Sequence, residues 1–463
     1  MKNGTLERWT VENASELYGV RDWGAGYFDV SENGEVLVRP RNGGSPISIS
    51  LMRIVADLKA RGLGMPVLLR FGDILDSRVA LINDRFQKAI QANGYQGAFR
   101  GVYPIKVNQQ QQVAEEITRF GSKYHHGLEA GSKAELIAAV AYMHDPEAFL
   151  VCNGYKDEEF IDLALHAQKM GIQTIIVIEM PGELGLVLAR AARLNVRPRI
   201  GVRLKLSTRA GGHWTESGGD RSVFGLNPAQ VIDVVDTLRG CEMLDCLQML
   251  HYHLGSQIPN IRNIRAGVSE AVRFYVDLAR EGAAMSILDI GGGLAVDYDG
   301  SHTNFPSSSN YTIDEYCADI IEQVMAATDK AGVPHPTIIS ESGRATVTYY
   351  SVLLFNVLDV SRLESHGLPE KLPENAQELL VNLFEINATL TTKNLQECYH
   401  DAVFYRDEVR DRFLHGAMTL RERATAEQIF WHIMARVAHE MEERKYVPDE
   451  FEGLESLLAD VYY

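Results

Sequence analysis

Short apolar runs alternate with segments of helical spacing between residues 66 and 345. A leading run at 67–71 is followed by eight further runs of strand length. These eight runs are 101–108, 125–130, 149–155, 174–179, 199–205, 247–255, 287–293 and 337–344. Eight β/α repeats in about 245 residues have the size of one closed barrel. The pattern therefore predicts an α/β protein with a TIM-like (β/α)8 barrel at 66–345, and an open doubly wound sheet is the main alternative.

Capping signals support the helices expected between these strands. Ser132 is followed three residues later by Glu135, and Thr312 by Glu315, which predicts a capping box at each helix start. Apolar residues at helical spacing also mark 160–170 and 229–238.

The residues before the barrel predict a small sheet. Residues 27–38 alternate between apolar and polar side chains, and Asn33-Gly34 has the composition of a tight hairpin turn. We expect residues 1–65 to contribute strands to a β-domain.

The character of the chain changes after the barrel. Residues 361–463 are rich in Glu, Leu, Arg and Gln, and 421–445 shows helical periodicity. We expect residues 346–463 to contain the start of the β-domain and a helical insertion module. The final DVYY resembles the beginning of another strand, so the β-domain is expected to be incomplete in these residues.

Charge and cysteine content narrow the class of function. The 45 basic and 62 acidic residues give a net charge of −17, which argues against nucleic acid or an anionic membrane as a partner, because both need a basic face. The five cysteines are irregularly spaced and indicate reduced thiols rather than a zinc site or a disulfide framework. No apolar run reaches the roughly 20 residues of a membrane span or forms a signal peptide. These features predict a soluble, cytoplasmic protein.

Lys106 is the first candidate for chemistry, because functional groups of a barrel lie at the carboxyl ends of its strands. In the predicted strand 101–108, Lys106 shares a face with Val102 and Pro104. A desolvated lysine amine has a lowered pKa and attacks an aldehyde, so Lys106 is a candidate Schiff-base lysine. An edge-strand lysine that faces water is the alternative.

Three further strand ends carry polar or glycine-rich groups. The glycines at 291–293 allow backbone N–H groups to close around a phosphate, or form a plain tight turn. His251 and His253 share a strand face. They could bind a metal, His253 could stack on a flat ring, or either could be a hydrogen-bonded core residue. Glu341 could keep a pyridine nitrogen protonated and Arg344 could bind a phosphate, or the two could form an internal ion pair.

Together these groups indicate a site for an aldehyde-phosphate cofactor. The segments YPIKVNQ, GLEAGSKAEL, VCNGYKD, HLGSQ, GGGLAVDY and ESGRA resemble motifs of the alanine-racemase-like decarboxylases, the pyridoxal-phosphate enzymes that act on ornithine, diaminopimelate and arginine. The resemblance is greatest to the arginine branch, because the shorter ornithine enzymes lack the helical module. It implies decarboxylation of L-arginine to agmatine and carbon dioxide, a step of polyamine biosynthesis.

The resemblance also implies roles for individual residues. Lys106 would bind pyridoxal phosphate as a Schiff base, His253 would stack on its ring, and Glu341 would pair with its pyridine nitrogen. The residues implied to hold the phosphate are Ser256, Gly291, Gly292, Gly293 and Arg344. Glu129 and Arg203 match family residues near the cofactor. The candidates for substrate binding are Asp289, Asp297 and Tyr298, from a stretch associated with ligands in this family.

Family members continue beyond the point where this sequence stops. The further part carries most of the β-domain, a Cys-Asp pair that completes the partner's active site, and the acidic residues that recognise the substrate side chain. The resemblance implies a homodimer or homotetramer with shared sites, and an association with Mg²⁺, for which the sequence shows no site. We expect residues 1–463 alone to bind the cofactor but to turn over arginine poorly. Three alternatives stay open: a decarboxylase of ornithine or diaminopimelate, a non-catalytic cofactor-binding homologue, and a metal-dependent barrel hydrolase that uses His251 and His253.

Overall fold

The computed structural model describes residues 10–42, 46–208, 222–361, 368, 371–444 and 461–462. The chain divides into two compact units, Met1–Leu354 and Phe355–Tyr463.

The first unit begins with a small antiparallel sheet. Its strands are β1 (Phe28–Val30), β2 (Val36–Val38) and β3 (Ile49–Ser50). The predicted hairpin is confirmed, since β1 pairs with β2 and Gly34 adopts a φ of +81° in the turn between them. Glycine suits this turn because a side chain is disfavoured at positive φ.

The predicted barrel is confirmed as eight parallel strands in a closed ring. A short strand, β4 (Val67–Arg70), precedes it. The barrel strands are β5 (Phe99–Pro104), β6 (Gly127–Ala130), β7 (Phe149–Cys152), β8 (Gln173–Ile178), β9 (Ile200–Leu204), β10 (Leu247–Tyr252), β11 (Ile287–Asp289) and β12 (Thr337–Ser340). β4 lies outside the ring and pairs antiparallel with β13 (Ser351–Leu354). Because each barrel strand is covered on both faces, the strands read as nearly continuous apolar runs.

Helices cover the outside of this barrel. The helices of the first unit are α1 (Val11–Leu17), α2 (Val20–Trp23), α3 (Leu51–Ala60), α4 (Gly72–Asn93), α5 (Gln111–Gly121), α6 (Lys133–Tyr142), α7 (Glu158–Lys169), α8 (Glu183–Leu194), α9 (Pro228–Gly240), α10 (Ile261–Arg280), α11 (Ile313–Ala331) and α12 (Gly343–Val347). Among the described residues, no helix has the length and hydropathy needed to cross a membrane.

One of the two predicted capping boxes forms completely. Thr312 and Glu315 cap each other's backbone N–H groups at the start of α11. At α6 only half of the box forms, because Ser132 accepts from the Glu135 N–H while the Glu135 carboxylate accepts from the Gly131 N–H at 2.8 Å. The reciprocal half of that prediction is therefore wrong, and Glu135 instead ties down the loop after β6.

The second unit is the predicted helical module. It consists of β14 (Val360–Ser361), α13 (Glu378–Thr389), α14 (Leu395–Leu414), α15 (Leu420–Arg444) and β15 (Val461–Tyr462). The three helices bury an apolar core of their own that includes Leu383, Ile429 and Ile433. The strand expected at the final residues pairs antiparallel with β14.

Candidate active site

The inward faces of the barrel strands change from apolar to polar toward their carboxyl ends. An apolar layer inside the barrel consists of Val102, Val151, Ile175, Val177, Met249, Ile287 and Ile339. Five of these residues are followed, two positions later and on the same strand face, by a polar residue. These polar side chains are all buried and belong to Asn153, Glu179, His251, Asp289 and Glu341. The barrel thus places a polar layer at the end where barrel enzymes carry their active sites.

Lys106 lies just beyond the end of β5 rather than within a strand. β5 ends at Pro104, which has no N–H to continue the ladder, and Ile105–Val107 form a single 3-10 turn. Lys106 Nζ donates to Oε2 of the fully buried Glu129 at 3.0 Å. Because β5 is paired on both sides in the closed barrel, Lys106 does not belong to an edge strand, although its side chain is 56% exposed.

The charge state expected for Lys106 also needs correction. Burial lowers the pKa of Lys106, but the carboxylates of Glu129 and Glu341 raise it by more, so the net shift is upward. Burial raises the pKa of Glu129, and the nearby Lys106 offsets part of that shift. The resting lysine is therefore an ammonium, and the carboxylate beside it is poised to accept a proton.

Glu341 follows β12 and points into the barrel. It is 6% exposed, and its Oε1 accepts a hydrogen bond from Asn153 Nδ2 at 2.7 Å. Burial and the nearby Asp289 raise the pKa of Glu341, whereas His251 and Lys106 lower it. The alternative of an internal ion pair with Arg344 is not what the structure shows, since Arg344 donates to Tyr298 and Ser256.

The turn at Gly291–Gly293 requires glycine at two positions. Gly291 has a φ of +61°, and a Cβ there would lie 2.4 Å from the Tyr252 carbonyl oxygen. Gly293 has a φ of +120°, and a Cβ there would lie 2.7 Å from Ile258 Cδ1. Because Gly292 and Gly293 have no side chains, they leave room for an anion in the cavity that they line, while the Gly291 and Gly292 N–H groups are bound within the protein.

Arg344 and Ser256 complete this anion cradle. Arg344 donates to Ser256 Oγ at 3.2 Å and to the Tyr298 hydroxyl at 3.0 Å. Its Nε is buried without a hydrogen-bond partner. Because an unsatisfied guanidinium N–H is costly to bury, this atom indicates that an anionic group belongs here.

The cradle, Lys106 and Glu341 line one cavity of about 410 Å³. An adjoining cavity of about 390 Å³ shares Lys106, His253 and Glu341 with it. This volume suits a small organic cofactor. The amine, the anion cradle and the buried carboxylate match the aldehyde, phosphate and ring nitrogen of pyridoxal phosphate.

His253 faces both cavities as a neutral ring. Its Nδ1 accepts from the Gly292 N–H at 3.2 Å. Burial lowers the pKa of His253 well below its ordinary value, and the neighbouring Arg203, His251 and Lys106 lower it further. A neutral imidazole at this position can cover the face of a flat heteroaromatic ring.

The candidates for substrate binding separate in the structure. Tyr298 lines the first cavity, whereas Asp289 lies deep in the barrel beside His251. Asp297 holds its own loop, because it accepts from Ser308 Oγ at 2.7 Å and from the Gly300 N–H at 3.1 Å. The structure does not bring Asp297 into the cavity lining.

Asn153 and Glu179 are site residues that motif reasoning missed. Asn153 holds Glu341, and Glu179 Oε1 accepts from Arg203 Nη1 at 2.9 Å. Burial raises the pKa of Glu179, but Arg203 and other cations outweigh it, so the net shift is downward. The available signal was their position two residues beyond Val151 and Val177, on the strand face that points inward.

Comparison with known families matches both units. Residues 79–348 match the family described as pyridoxal-dependent decarboxylase, pyridoxal binding domain. Residues 373–455 match the arginine decarboxylase helical bundle domain.

Individual proteins agree with these matches. The chain is 44% identical over 458 residues to a biosynthetic arginine decarboxylase of Gloeobacter violaceus, covering 99% of this chain and 71% of that protein. It is 42% identical to the corresponding protein of Bacteroides thetaiotaomicron, with coverages of 99% and 72%. The crystal structure of the Campylobacter jejuni biosynthetic arginine decarboxylase superposes with a TM-score of 0.80 at 30% identity, covering 92% of this chain and 69% of that one. The chain therefore belongs to the pyridoxal-dependent decarboxylases and, within them, to the biosynthetic arginine decarboxylase family.

Proposed function

We propose that this protein decarboxylates L-arginine to agmatine and carbon dioxide, a step of polyamine biosynthesis, with pyridoxal phosphate as its cofactor. The observation that carries the chemistry is the meeting of Lys106, Glu341 and the glycine turn at one cavity. The helical-bundle match and the shared name of the relatives support arginine rather than ornithine or diaminopimelate.

Lys106 is the amine that holds the cofactor, and Glu129 prepares it. An ammonium cannot attack an aldehyde, so Lys106 must first lose a proton. The Glu129 carboxylate, 3.0 Å away, holds the ammonium in the resting site, and because burial raises the pKa of Glu129 it is the neighbouring base that can take the proton as the amine reacts.

Glu341 controls the ring nitrogen. When bound, pyridoxal phosphate supplies an electron sink for the electron pair that the departing carboxylate leaves on the α carbon. The Glu341 carboxylate, oriented by Asn153, holds a proton on the ring nitrogen and thereby strengthens that sink. His253 covers one ring face as a neutral group and does not oppose the positive charge of the ring.

The remaining groups position the cofactor. The glycine turn, Ser256 and Arg344 bind the phosphate, with Tyr298 orienting the guanidinium. Arg203, held by Glu179, adds positive charge at the edge of the site. Each of these contacts fixes orientation, which matters because the bond to the leaving carboxylate must align with the ring system.

Magnesium does not fit the described residues. The group among them with three ligand atoms in reach of one another is His251, Asp289 and Glu341. It contains an imidazole, whereas Mg²⁺ prefers oxygen ligands and retained waters. The proposed mechanism therefore contains no step through a metal.

We further infer a homodimer or homotetramer with shared sites in the cytoplasm. Leu68 and Leu353 on the paired strands β4 and β13 are 47% and 57% exposed. These exposed apolar side chains support an assembly in which another surface covers them. The five cysteines are free, which supports a reducing compartment. Light scattering of the purified protein tests the assembly.

The substrate is tested by the identity of the released amine. The holoenzyme is supplied separately with L-arginine, L-ornithine and diaminopimelate, and the products are identified by mass spectrometry. We expect agmatine to be formed fastest, and the Lys106→Ala variant to release no amine. Faster release of putrescine from ornithine would overturn the proposed substrate but not the chemistry.

A further inference from the structure

His251 and Asp289 form a buried charged cluster with Glu341 that the assigned roles leave unused. The three side chains are 1%, 0% and 6% exposed, and their ligand atoms all lie within 4.8 Å of one another. His251 Nδ1 lies 3.0 Å from Asp289 Oδ2. Asp289 Oδ1 is bound to the Gly291 N–H at 2.8 Å, so one Asp289 oxygen supports the glycine turn and the other faces His251.

Burying three ionisable groups together is costly unless their charges balance. The adjacent inward positions one layer below are apolar, namely Met249, Ile287 and Ile339. If the positions of His251, Asp289 and Glu341 only had to be filled, apolar residues of this kind would be sufficient. A second buried carboxylate beside Glu341 raises the pKa of Glu341, so a nearby cation is needed to favour its ionised form.

A protonated His251 would supply the missing cation. Burial lowers the pKa of His251, but Asp289 and Glu341 raise it by more, so the net shift is upward despite the opposing charge of Arg203. In return, His251 lowers the pKa of Glu341, which burial and Asp289 raise. A cationic His251 therefore lies within 4.8 Å of both carboxylates.

The other charged groups facing this cluster have closer partners. Arg203 on β9 is paired with Glu179 at 2.9 Å, and Lys106 is paired with Glu129 at 3.0 Å. His253 is neutral. Among the described residues that surround Glu341, His251 is thus the titratable group that lies within 4.8 Å of both carboxylates.

We propose that His251, held as a cation by Asp289, keeps Glu341 ionised where it faces the ring nitrogen of the cofactor. His251 is a positioning residue on this account, because it acts through Glu341. The inference rests on the proposed function. If His251 is replaced by a neutral residue, Glu341 loses a cation that lowers its pKa and binds a proton itself, and a protonated Glu341 cannot hold a second proton on the ring nitrogen.

The test compares His251→Gln with His251→Gln/Asp289→Asn. Each variant is loaded with pyridoxal phosphate carrying ¹⁵N in its ring, and NMR reports whether that nitrogen is protonated. In His251→Gln we expect the nitrogen to lose its proton at a pH where the wild type keeps it, and turnover to fall at least about tenfold. The loss should shrink as the pH rises, because Glu341 then ionises without help.

The double variant separates charge from packing. It removes the second carboxylate as well, so Glu341 ionises again, and ring protonation and turnover should both rise above those of His251→Gln. A purely structural role predicts a further loss instead. Unchanged ring protonation and an unchanged pH profile in His251→Gln at full cofactor occupancy would overturn the inference.

A folding failure is also informative. If His251→Gln unfolds near neutral pH, the proposal expects it to fold at lower pH, where one carboxylate is protonated, and expects the double variant to fold at both values. Failure of both variants at both values would overturn it. Failure of the proposed function looks different: the wild type would release no amine from any basic amino acid, while the NMR comparison of ring protonation could still succeed.

Discussion

Replacing Glu341 with Gln is the most direct test of the site. The amide has nearly the same shape, and its oxygen can still accept the 2.7 Å hydrogen bond from Asn153. The change therefore removes one negative charge from a side chain that is 6% exposed. A preorganised electrostatic group in a water-poor site contributes about 3–4 kcal/mol to the transition state, which corresponds to a roughly 100- to 1000-fold loss of turnover.

The assay measures carbon dioxide and agmatine release at full cofactor occupancy, with occupancy read from the absorbance of the bound cofactor. Misfolding is excluded by the melting temperature of the cofactor-free protein. Burial raises the pKa of Glu341, so its ionised form destabilises the fold at pH values above its ordinary pKa. The Gln variant should therefore melt at the same temperature or higher.

The matched control is Glu341→Asp, which keeps the charge but shortens the side chain. It should retain more turnover than Glu341→Gln. Turnover of Glu341→Gln within about threefold of the wild type, a difference of less than 1 kcal/mol, would refute the reasoning and leave Glu341 as a structural partner of Asn153.

Three further outcomes follow from the structure. Lys106→Ala should abolish the cofactor's visible absorbance, and borohydride reduction of the wild type followed by peptide mapping should find the label on Lys106 and on no other lysine. Gly293→Ala, whose Cβ would meet Ile258 at 2.7 Å at a φ of +120°, should raise the cofactor Kd at least about tenfold, whereas Gly185→Ala, with open space around it, should leave it unchanged. Burial lowers the pKa of His126 from 6.5 to about 4, so only the unfolded chain gains a proton between these values. As the pH falls from 6.5 to about 4, the free energy of unfolding of the wild type should therefore fall by about 2–3 kcal/mol. Urea titrations of His126→Gln at the same pH values should lack this part of the pH dependence.

The position of the active site follows from the barrel's layered interior. The same alternation that buries Val151 and Val177 brings Asn153 and Glu179 into the cavity two residues later. Residues at the carboxyl end of the barrel can therefore change without disturbing the apolar layer that closes it. This separation explains how one end of the barrel can concentrate so many buried charges.

The sequence by itself determined the order of the elements and the chemistry of several motifs. Alternating apolar runs predicted all eight barrel strands, because strand and helix periodicities are local properties. Lys106, Glu341 and Arg344 stood out because each is polar at the end of an apolar run. Strand ends were less predictable: the runs continue into loops, so β5 stops at Pro104 and β10 stops at Tyr252.

Only the tertiary structure decided which polar groups meet. Asn153 and Glu341 are 188 residues apart and form a 2.7 Å hydrogen bond, and His251 reaches Asp289 because β10 and β11 pair in register. The charge of Lys106 was misjudged for the same reason, since its pKa depends on carboxylates from other strands. Local patterns predict which face of a strand a side chain lies on. Which other side chains it meets is determined by the closure of the barrel and the register of the strands. Charge interactions depend on the distances between those side chains.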